Sequence, residues 1–356
     1  MDTSRRAFVR LAAGGAMGGL LSLAVGKDAP PPGIKIGSGL NPKLTDQDLE
    51  MFRNTGIEYA SVWTGIEDNN PDFMIQTRRR LEDNGIRLWN IGILDLHCDP
   101  TIVLGLPGQD KKIEQYKEYL RNLARAGLTY TTYAHMANIK VPTVPGYYQT
   151  GRATIRGGVS TREFDLEVAK KLPLSHGRVY GENEIWASFT KFVRAVMPVA
   201  EKAGVRIGLH PDDPPVASLG GVARVFRNFE GYEQALQIAN SPNFGLCFCV
   251  GTWAEGGANM GMDVFEMIRY YGPKRKIFKV HFRNVTSPLP TFRETFVESG
   301  YLDMYKVMRA LREVNFDGVI IPDHVPGENG RGVNTSYIIG YMKALRDRAN
   351  AEFARA

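Results

Sequence analysis

From residue 34 to residue 350, short apolar runs alternate with longer stretches whose apolar residues recur every three or four positions. The runs at 34–38, 58–62, 86–93 and 129–134 are too short for helices and read as buried strands. Helical patterns separate them: one opening near Thr45-Asp46, one over 71–84 closed by Gly85, and one over 110–126 closed by Gly127. A long one over 184–203 ends at Gly204. Four more runs follow, VRIGLH at 205–210, FGLCFC at 244–249, IFKVH at 277–281 and GVIIPD at 318–323. Helical patterns at 232–239, 263–271 and 301–314 space them, and 337–350 comes last. Eight strand–helix units with right-handed crossovers predict a closed (β/α)8 TIM barrel, an α/β fold making one domain over 34–350. Residues 138–182 fit no unit, and Pro142, Pro145, Gly146, Tyr147, Tyr148, Gly157 and Gly158 make them loop-like. An insertion after the fourth strand lies at the barrel mouth, so it is a candidate lid, a contact between copies in a homo-oligomer, or a plain surface loop.

The first residues follow another pattern. Arg5 and Arg6 stand in SRRAFVR at 4–10, ahead of a weakly apolar Gly/Ala/Leu stretch over 11–25 and the small residues AVG at 24–26. That is the makeup of a twin-arginine signal peptide over 1–26, with 27–33 as a linker. The expectation is export, already folded, through the twin-arginine translocase to the periplasm or the medium; the alternative is an uncleaved amphipathic helix. The apolar stretch is too short and too glycine-rich for a stable membrane span. No cysteine follows it, so lipid attachment at that junction is excluded.

Composition changes this picture little. At 43% hydrophobic and 23% charged, the 356 residues have an ordinary soluble makeup. Part of the net charge of +6 belongs to Arg5, Arg6 and Arg10, and no basic tract interleaves with aromatics, which argues against nucleic acid. The three cysteines do not form a disulfide framework: Cys98 matches neither of the others, and Cys247 and Cys249 are read as pointing to opposite faces of their run.

The last four runs carry the chemistry. Each ends on a residue that can bind a metal: His210, Cys249, His281 and Asp323. In a parallel barrel these ends meet at one mouth. Any one of them alone reads as a satisfied core residue; four in succession read as a site. Two His, one Cys and one Asp suit a divalent transition metal, and the thiolate by itself favours iron or zinc over manganese, magnesium or calcium. Asp212 and Asp213 lie within reach of anything His210 binds, either fixing its imidazole or capping the next helix. Arg283, on the face of His281, offers a planar fork for a carboxylate, the alternative being a surface salt bridge. His324 stands beside Asp323 and brings an imidazole to the same strand end. Tyr337 can bring a phenol to the mouth or merely begin the last helix. His97 and His135 end the third and fourth strands and are candidates to line the substrate cavity, whereas Cys247 is read as an inert core thiol and His176 has no role.

Leu104-Gly-Leu-Pro-Gly-Gln-Asp110, His210-Pro-Asp-Asp-Pro-Pro215, Cys249-Val-Gly251, His281-Phe-Arg283, Asp303-Met-Tyr305 and Pro322-Asp-His324 together resemble the D-mannonate dehydratases. The resemblance implies a barrel in which His210, Cys249, His281 and Asp323 hold Mn(II) or Fe(II), and His324 and Tyr337 handle protons. It also implies dehydration of a sugar acid, D-mannonate or a close aldonate, to a 2-keto-3-deoxy acid. Two positions depart from the family: Val325-Pro326 stand where it has Gly, often followed by Arg, and Tyr337 follows Asn-Thr-Ser where it has Pro-Gly. The rival readings are a metal-dependent sugar isomerase or epimerase on the same barrel, against which Cys249 argues, and an exported sugar-acid-binding protein without turnover.

Overall fold

The computed structural model describes residues 32–40, 42–43, 45–137, 149–327 and 332–354. The signal reading of 1–26, most of the 27–33 linker and residues 138–148 of the insertion lie outside the described residues. Eight parallel strands make the barrel: β1 (Lys35–Leu40), β2 (Tyr59–Thr64), β3 (Arg87–Ile93), β4 (Tyr130–Tyr133), β5 (Arg206–Leu209), β6 (Phe244–Cys249), β7 (Ile277–His281) and β8 (Val319–Ile321). Their hydrogen-bonded order is β3-β2-β1-β8-β7-β6-β5-β4, and β3 and β4 adjoin to bring the ring nearly to closure. Just past those two strands the Cys98 N–H donates to the Ala134 carbonyl at 3.3 Å. The outer ring holds α1 (Asp46–Thr55), α2 (Pro71–Glu82), α3 (Gln109–Arg125), α4 (Glu182–Ala203), α5 (Phe229–Ala239), α6 (Val264–Tyr271), α7 (Met304–Glu313) and α8 (Val333–Phe353). Their ends carry the expected punctuation: Thr45 caps α1 in a capping box with Asp48, and Gly56 and Gly204 close α1 and α4 in the left-handed conformation.

Alternation along each strand sorts side chains between the barrel interior and the helices. Parallel register sets Cys247 beside Lys279 and Val319 in one level, and Cys249 beside His281 and Ile321 in the level nearer the mouth. The expectation that Cys247 and Cys249 point to opposite faces is therefore corrected: residues two apart on a strand share a face, and Cys247 lies inside the barrel below Cys249. Gly208 has no Cβ because the Tyr130 hydroxyl, reaching across the interior, would stand 2.5 Å from one.

The insertion is more ordered than its composition indicated. Gly151–Thr154 and Ser160–Asp165 form an antiparallel pair, and the second strand pairs with Thr291–Thr295 from the excursion after β7. Phe164 and Phe292 stack at that seam, ring centroids 5.4 Å apart. Gly327, from the loop after β8, donates its N–H to the Ser160 carbonyl at 3.0 Å. One strand of the insertion thus braces two loops that lead back to the mouth.

Candidate active site

The ends of β5 to β8 converge as the pattern required. One ligand atom from each of His210, Cys249, His281 and Asp323 lies within 4.8 Å of all the others. The Asp323 carboxylate is 3.4 Å from His281 Nδ1 and 4.0 Å from Cys249 Sγ, and the two imidazoles lie 4.9 Å apart, centroid to centroid. Bonds of about 2.1–2.3 Å to a shared tetrahedral ion place ligand atoms roughly 3.4–3.6 Å apart, so the set is close to closed around such an ion.

Each donor is oriented from behind. His210 Nδ1–H donates to the Pro211 carbonyl at 2.8 Å, which turns Nε2 toward the cluster. His281 presents Nδ1 to Asp323 while its Nε2 meets Cys247 Sγ at 3.4 Å. Cys249 ends β6 and starts a short helix, Val250–Gly256, whose Thr252 N–H points at its sulfur at 3.5 Å. Burial by itself raises a thiol's pKa, but Arg283 and the two imidazoles outweigh it and hold Cys249 well below the ordinary thiol range. Asp323 follows the same logic: His324, His281 and Arg283 overcome its burial and hold it well below the usual carboxylate range. The cluster thus pairs two anions with imidazoles whose proton affinity is raised, His281 strongly so, and a divalent cation would replace those protons.

Arg283 occupies the centre of the charge network. Its Nε donates to Asp323 at 3.2 Å, Nη1 to Glu255 at 2.5 Å and Glu294 at 2.9 Å, and Nη2 to Asp213 at 2.5 Å and Thr252 Oγ1 at 3.0 Å. With its donors committed to the protein's own groups and its side chain buried, it braces Asp323 rather than extending a fork to a substrate carboxylate. Gly251 makes this packing possible, since a Cβ there would lie 2.2 Å from Arg283 Cγ. Three buried carboxylates share the one guanidinium, and burial with the Asp213 and Glu294 charges pushes Glu255 well above the usual range.

The other expected residues divide. Asp212 and Asp213 cap no helix, since Asn228 caps α5; nor do they fix His210. Asp212 accepts from the Phe226 N–H at 2.7 Å, burial raising its pKa to about 6, and Asp213 belongs to Arg283. His324, at φ 47°, lies in a backbone region that costs a non-glycine residue about 1–3 kcal/mol. Its Nδ1–H donates to Glu294 at 2.8 Å, and its Nε2 lies 3.8 Å from Asp323 Oδ2. Tyr337 stands apart from this group: 44% exposed, it packs edge-on to Phe296 and lies under Arg156 of the insertion.

His97 and His135 are not equivalent. His97 is half-exposed and its ring sits 4.6 Å from that of Trp63. His135 was expected to line the cavity; instead it is buried among Phe189, Phe192 and Phe226, bonded to the Tyr133 hydroxyl at 2.7 Å and Ser188 Oγ at 3.1 Å. Alternation explains the correction, because Thr132 faces inward and so Tyr133 and His135 face the helices. The sequence reading of Cys247 as an inert core thiol missed its place behind His281, and Lys279, Glu255 and Glu294 have no sequence reading at all. A lysine two residues before His281 in an apolar run was the available signal for one of them; Glu294 gave none in its spacing, and an antiparallel pairing sets it beside Val285, two residues past Arg283.

Known proteins resemble this chain along most of its length. The D-mannonate dehydratase (UxuA) family profile matches residues 153–350. Mannonate dehydratase 2 of Halalkalibacterium halodurans is 31% identical over 304 residues, covering 76% of this chain and 86% of that protein. The mannonate dehydratase of Thermotoga petrophila is 29% identical over 337 residues, covering 81% and 88%. Among solved structures, the mannonate dehydratase of Streptococcus suis superposes with a TM-score of 0.76 at 23% identity, covering 89% of this chain and 95% of that one. An L-ribulose 3-epimerase shares the fold more loosely, with a TM-score of 0.55 at 13% identity over 90% of this chain and 98% of that one.

Proposed function

This chain belongs to the D-mannonate dehydratase (UxuA) family, and we propose that it converts D-mannonate to 2-keto-3-deoxy-D-gluconate and water as a metal-dependent hydro-lyase. Among this chain's own residues, the convergence of His210, Cys249, His281 and Asp323 carries that reading. Two imidazoles, a thiolate and a carboxylate fit a first-row transition ion, and Mn(II) or Fe(II) is the proposed one. A divalent ion held by the four would stabilise the negative charge that builds on the substrate's carboxylate and C2 hydroxyl.

The reaction breaks the C2–H and C3–O bonds, releases one water, and leaves an enol that rearranges to the ketone. His324 is the proposed proton carrier. Glu294, accepting from Nδ1–H, fixes the ring so that Nε2 is the atom that exchanges a proton with the substrate. Tyr337 is the second candidate on the family resemblance, and serves if its ring turns from Phe296 into the mouth. Arg283 positions Asp323 and neutralises the carboxylates behind it. The test is to assay purified, metal-analysed protein across a panel of aldonates and identify the product by NMR. A 2-keto-3-deoxy acid is expected; a ketose or epimer, or tight sugar-acid binding without turnover at any metal, would overturn the assignment.

The proposal includes export by the twin-arginine route to the periplasm or medium, supported by Arg5-Arg6 and the apolar stretch behind them. Replacing both arginines with lysine should hold the protein in the cytoplasmic fraction. Among the described residues no helix is long and apolar enough to cross a membrane. Self-association through the insertion is the remaining part of the proposal, and analytical sedimentation tests it.

A further inference from the structure

Beneath the four converging ligands the barrel interior holds polar atoms that nothing in the protein satisfies. Among the described residues, Lys279 Nζ, both amide atoms of Asn90, Ser61 Oγ and His97 Nδ1 are buried without a hydrogen-bond partner. They are not scattered. Ser61 and Asn90 are register partners on β2 and β3, one level below the Trp63–Gly92 pair, and a Cβ on Gly92 would strike the Trp63 ring that rests against His97. Lys279 stands one level below His281 on the inner face of β7, fully buried. Cys247, its register neighbour, acts on it more strongly than Asp323 does, and its own charge is felt at His97. The other interior lysine, Lys35, differs: it leaves through the opposite end to meet Asp317.

Buried polar groups are nearly always bonded, and buried ammonium groups are nearly always paired. Exceptions on the inner faces of three barrel strands, with Lys279 two residues below His281, leave donors and an ammonium available to a ligand that is itself polar and anionic. Arg283 cannot be that ligand's counter-charge, because the protein's own carboxylates use its donors. We propose that Lys279 is the cation that receives the substrate's carboxylate, with Asn90, Ser61 and His97 taking the adjoining hydroxyls. The inference rests on the proposed sugar-acid chemistry and names the anion-binding half of that same site.

The test compares Lys279→Met with the unaltered, metal-loaded protein, using D-mannonate as substrate and D-mannitol, which keeps the hydroxyls and lacks the carboxylate, as competitor. Losing a charge-assisted contact should raise KM for D-mannonate about 10- to 100-fold. The inhibition constant of D-mannitol should stay within about twofold, bound metal should be unchanged, and the Tm of the substrate-free variant should rise, because an unpaired buried charge has been removed. A merely structural lysine would lower Tm instead and affect both ligands alike. Should Lys279→Met fail to fold, Lys279→Gln keeps a polar group without charge and must show the same split. An unchanged D-mannonate KM in either folded variant overturns the assignment of Lys279 while leaving the dehydratase reading intact. No binding or turnover of any aldonate by the unaltered protein overturns both.

Discussion

At the ends of β5 to β8 carboxylates, imidazoles and a guanidinium are gathered against one another, whereas on β2, β3 and the inner face of β7 Ser61, Asn90 and Lys279 hold polar atoms that no hydrogen bond among the described residues reaches. In the first region Arg283 gathers Asp213, Glu255, Glu294 and Asp323, and the carboxylate of Asp323 already lies against His281. In the second, Lys279 Nζ, the Asn90 amide, Ser61 Oγ and His97 Nδ1 have no hydrogen-bond partner among the described residues. Both regions lie mostly out of solvent, so the contrast is not one of exposure. A centre that must hold an ion in one geometry is organised before the ion arrives. A wall that must take up and release a substrate stays unsatisfied until the substrate comes, and the fold bears that cost.

The largest way to break this contrast is to unpair the organised half. Arg283→Met leaves several buried carboxylates without their cation, and removing one partner of a buried charge network costs about 3–5 kcal/mol. Urea unfolding should show a loss of that size together with loss of bound metal. Arg283→Lys keeps the charge but not the fork and should fall between. A Tm equal to that of the parent protein in Arg283→Met would mean that the guanidinium does not hold the half together. His324→Gln acts next. It leaves the four ligands in place, so metal content should persist while kcat falls about 10²- to 10⁴-fold, the usual contribution of one proton-transfer group. Near-normal turnover in that variant removes His324 from the chemistry.

How much of this was legible beforehand follows the range of the interactions. The barrel could be read because each strand–helix unit states itself locally, in period and punctuation. The four ligands were legible because strand ends meet in any parallel barrel, whatever the side chains between them. What escaped depends on contacts between segments far apart in sequence. Nothing near Glu294 announces that Thr291–Thr295 pairs with Ser160–Asp165, which orders the insertion, or that Glu294 stands against Val285 and so reaches Arg283 and His324. Arg283 was recognised as important, but its role depended on how many carboxylates surround it, which no spacing reveals. Cys247 was another kind of case: strand alternation sets it on the face of Cys249, and there the inference from pattern, not the information, failed.

Cys247 sharpens the comparison from within the organised half. Its sulfur lies behind His281 Nε2, so Cys247→Val removes the group that orients this ligand while keeping the volume roughly constant. Groups that orient a ligand from behind typically contribute 10- to 100-fold in metal affinity. Competition with a chelator should therefore show a 10- to 100-fold weaker site in a protein of near-parental stability. An unchanged affinity would make Cys247 a space-filling thiol after all.

The smallest effect separates the two histidines that looked alike in the sequence. His135 lies in the packing between barrel and helices, and burial depresses its pKa from 6.5 to about 3. Above pH 6.5 neither the folded nor the unfolded chain protonates it, and it makes no difference to stability. As the pH falls from 6.5 toward 3, the unfolded chain takes up a proton that the fold refuses, so stability drops. By pH 5.5 this amounts to about 1 kcal/mol. His135→Gln can keep a hydrogen bond to Tyr133 or Ser188 but cannot take up that proton. Its unfolding free energy should therefore fall by about 1 kcal/mol less between pH 7.5 and pH 5.5 than that of the parent protein, with KM for the sugar acid unchanged at pH 7.5. His97→Gln should disturb KM instead, because that ring faces the unsatisfied wall. A KM that moves with His135 would place it back in the cavity and erase the distinction between a histidine used for packing and one kept for a ligand.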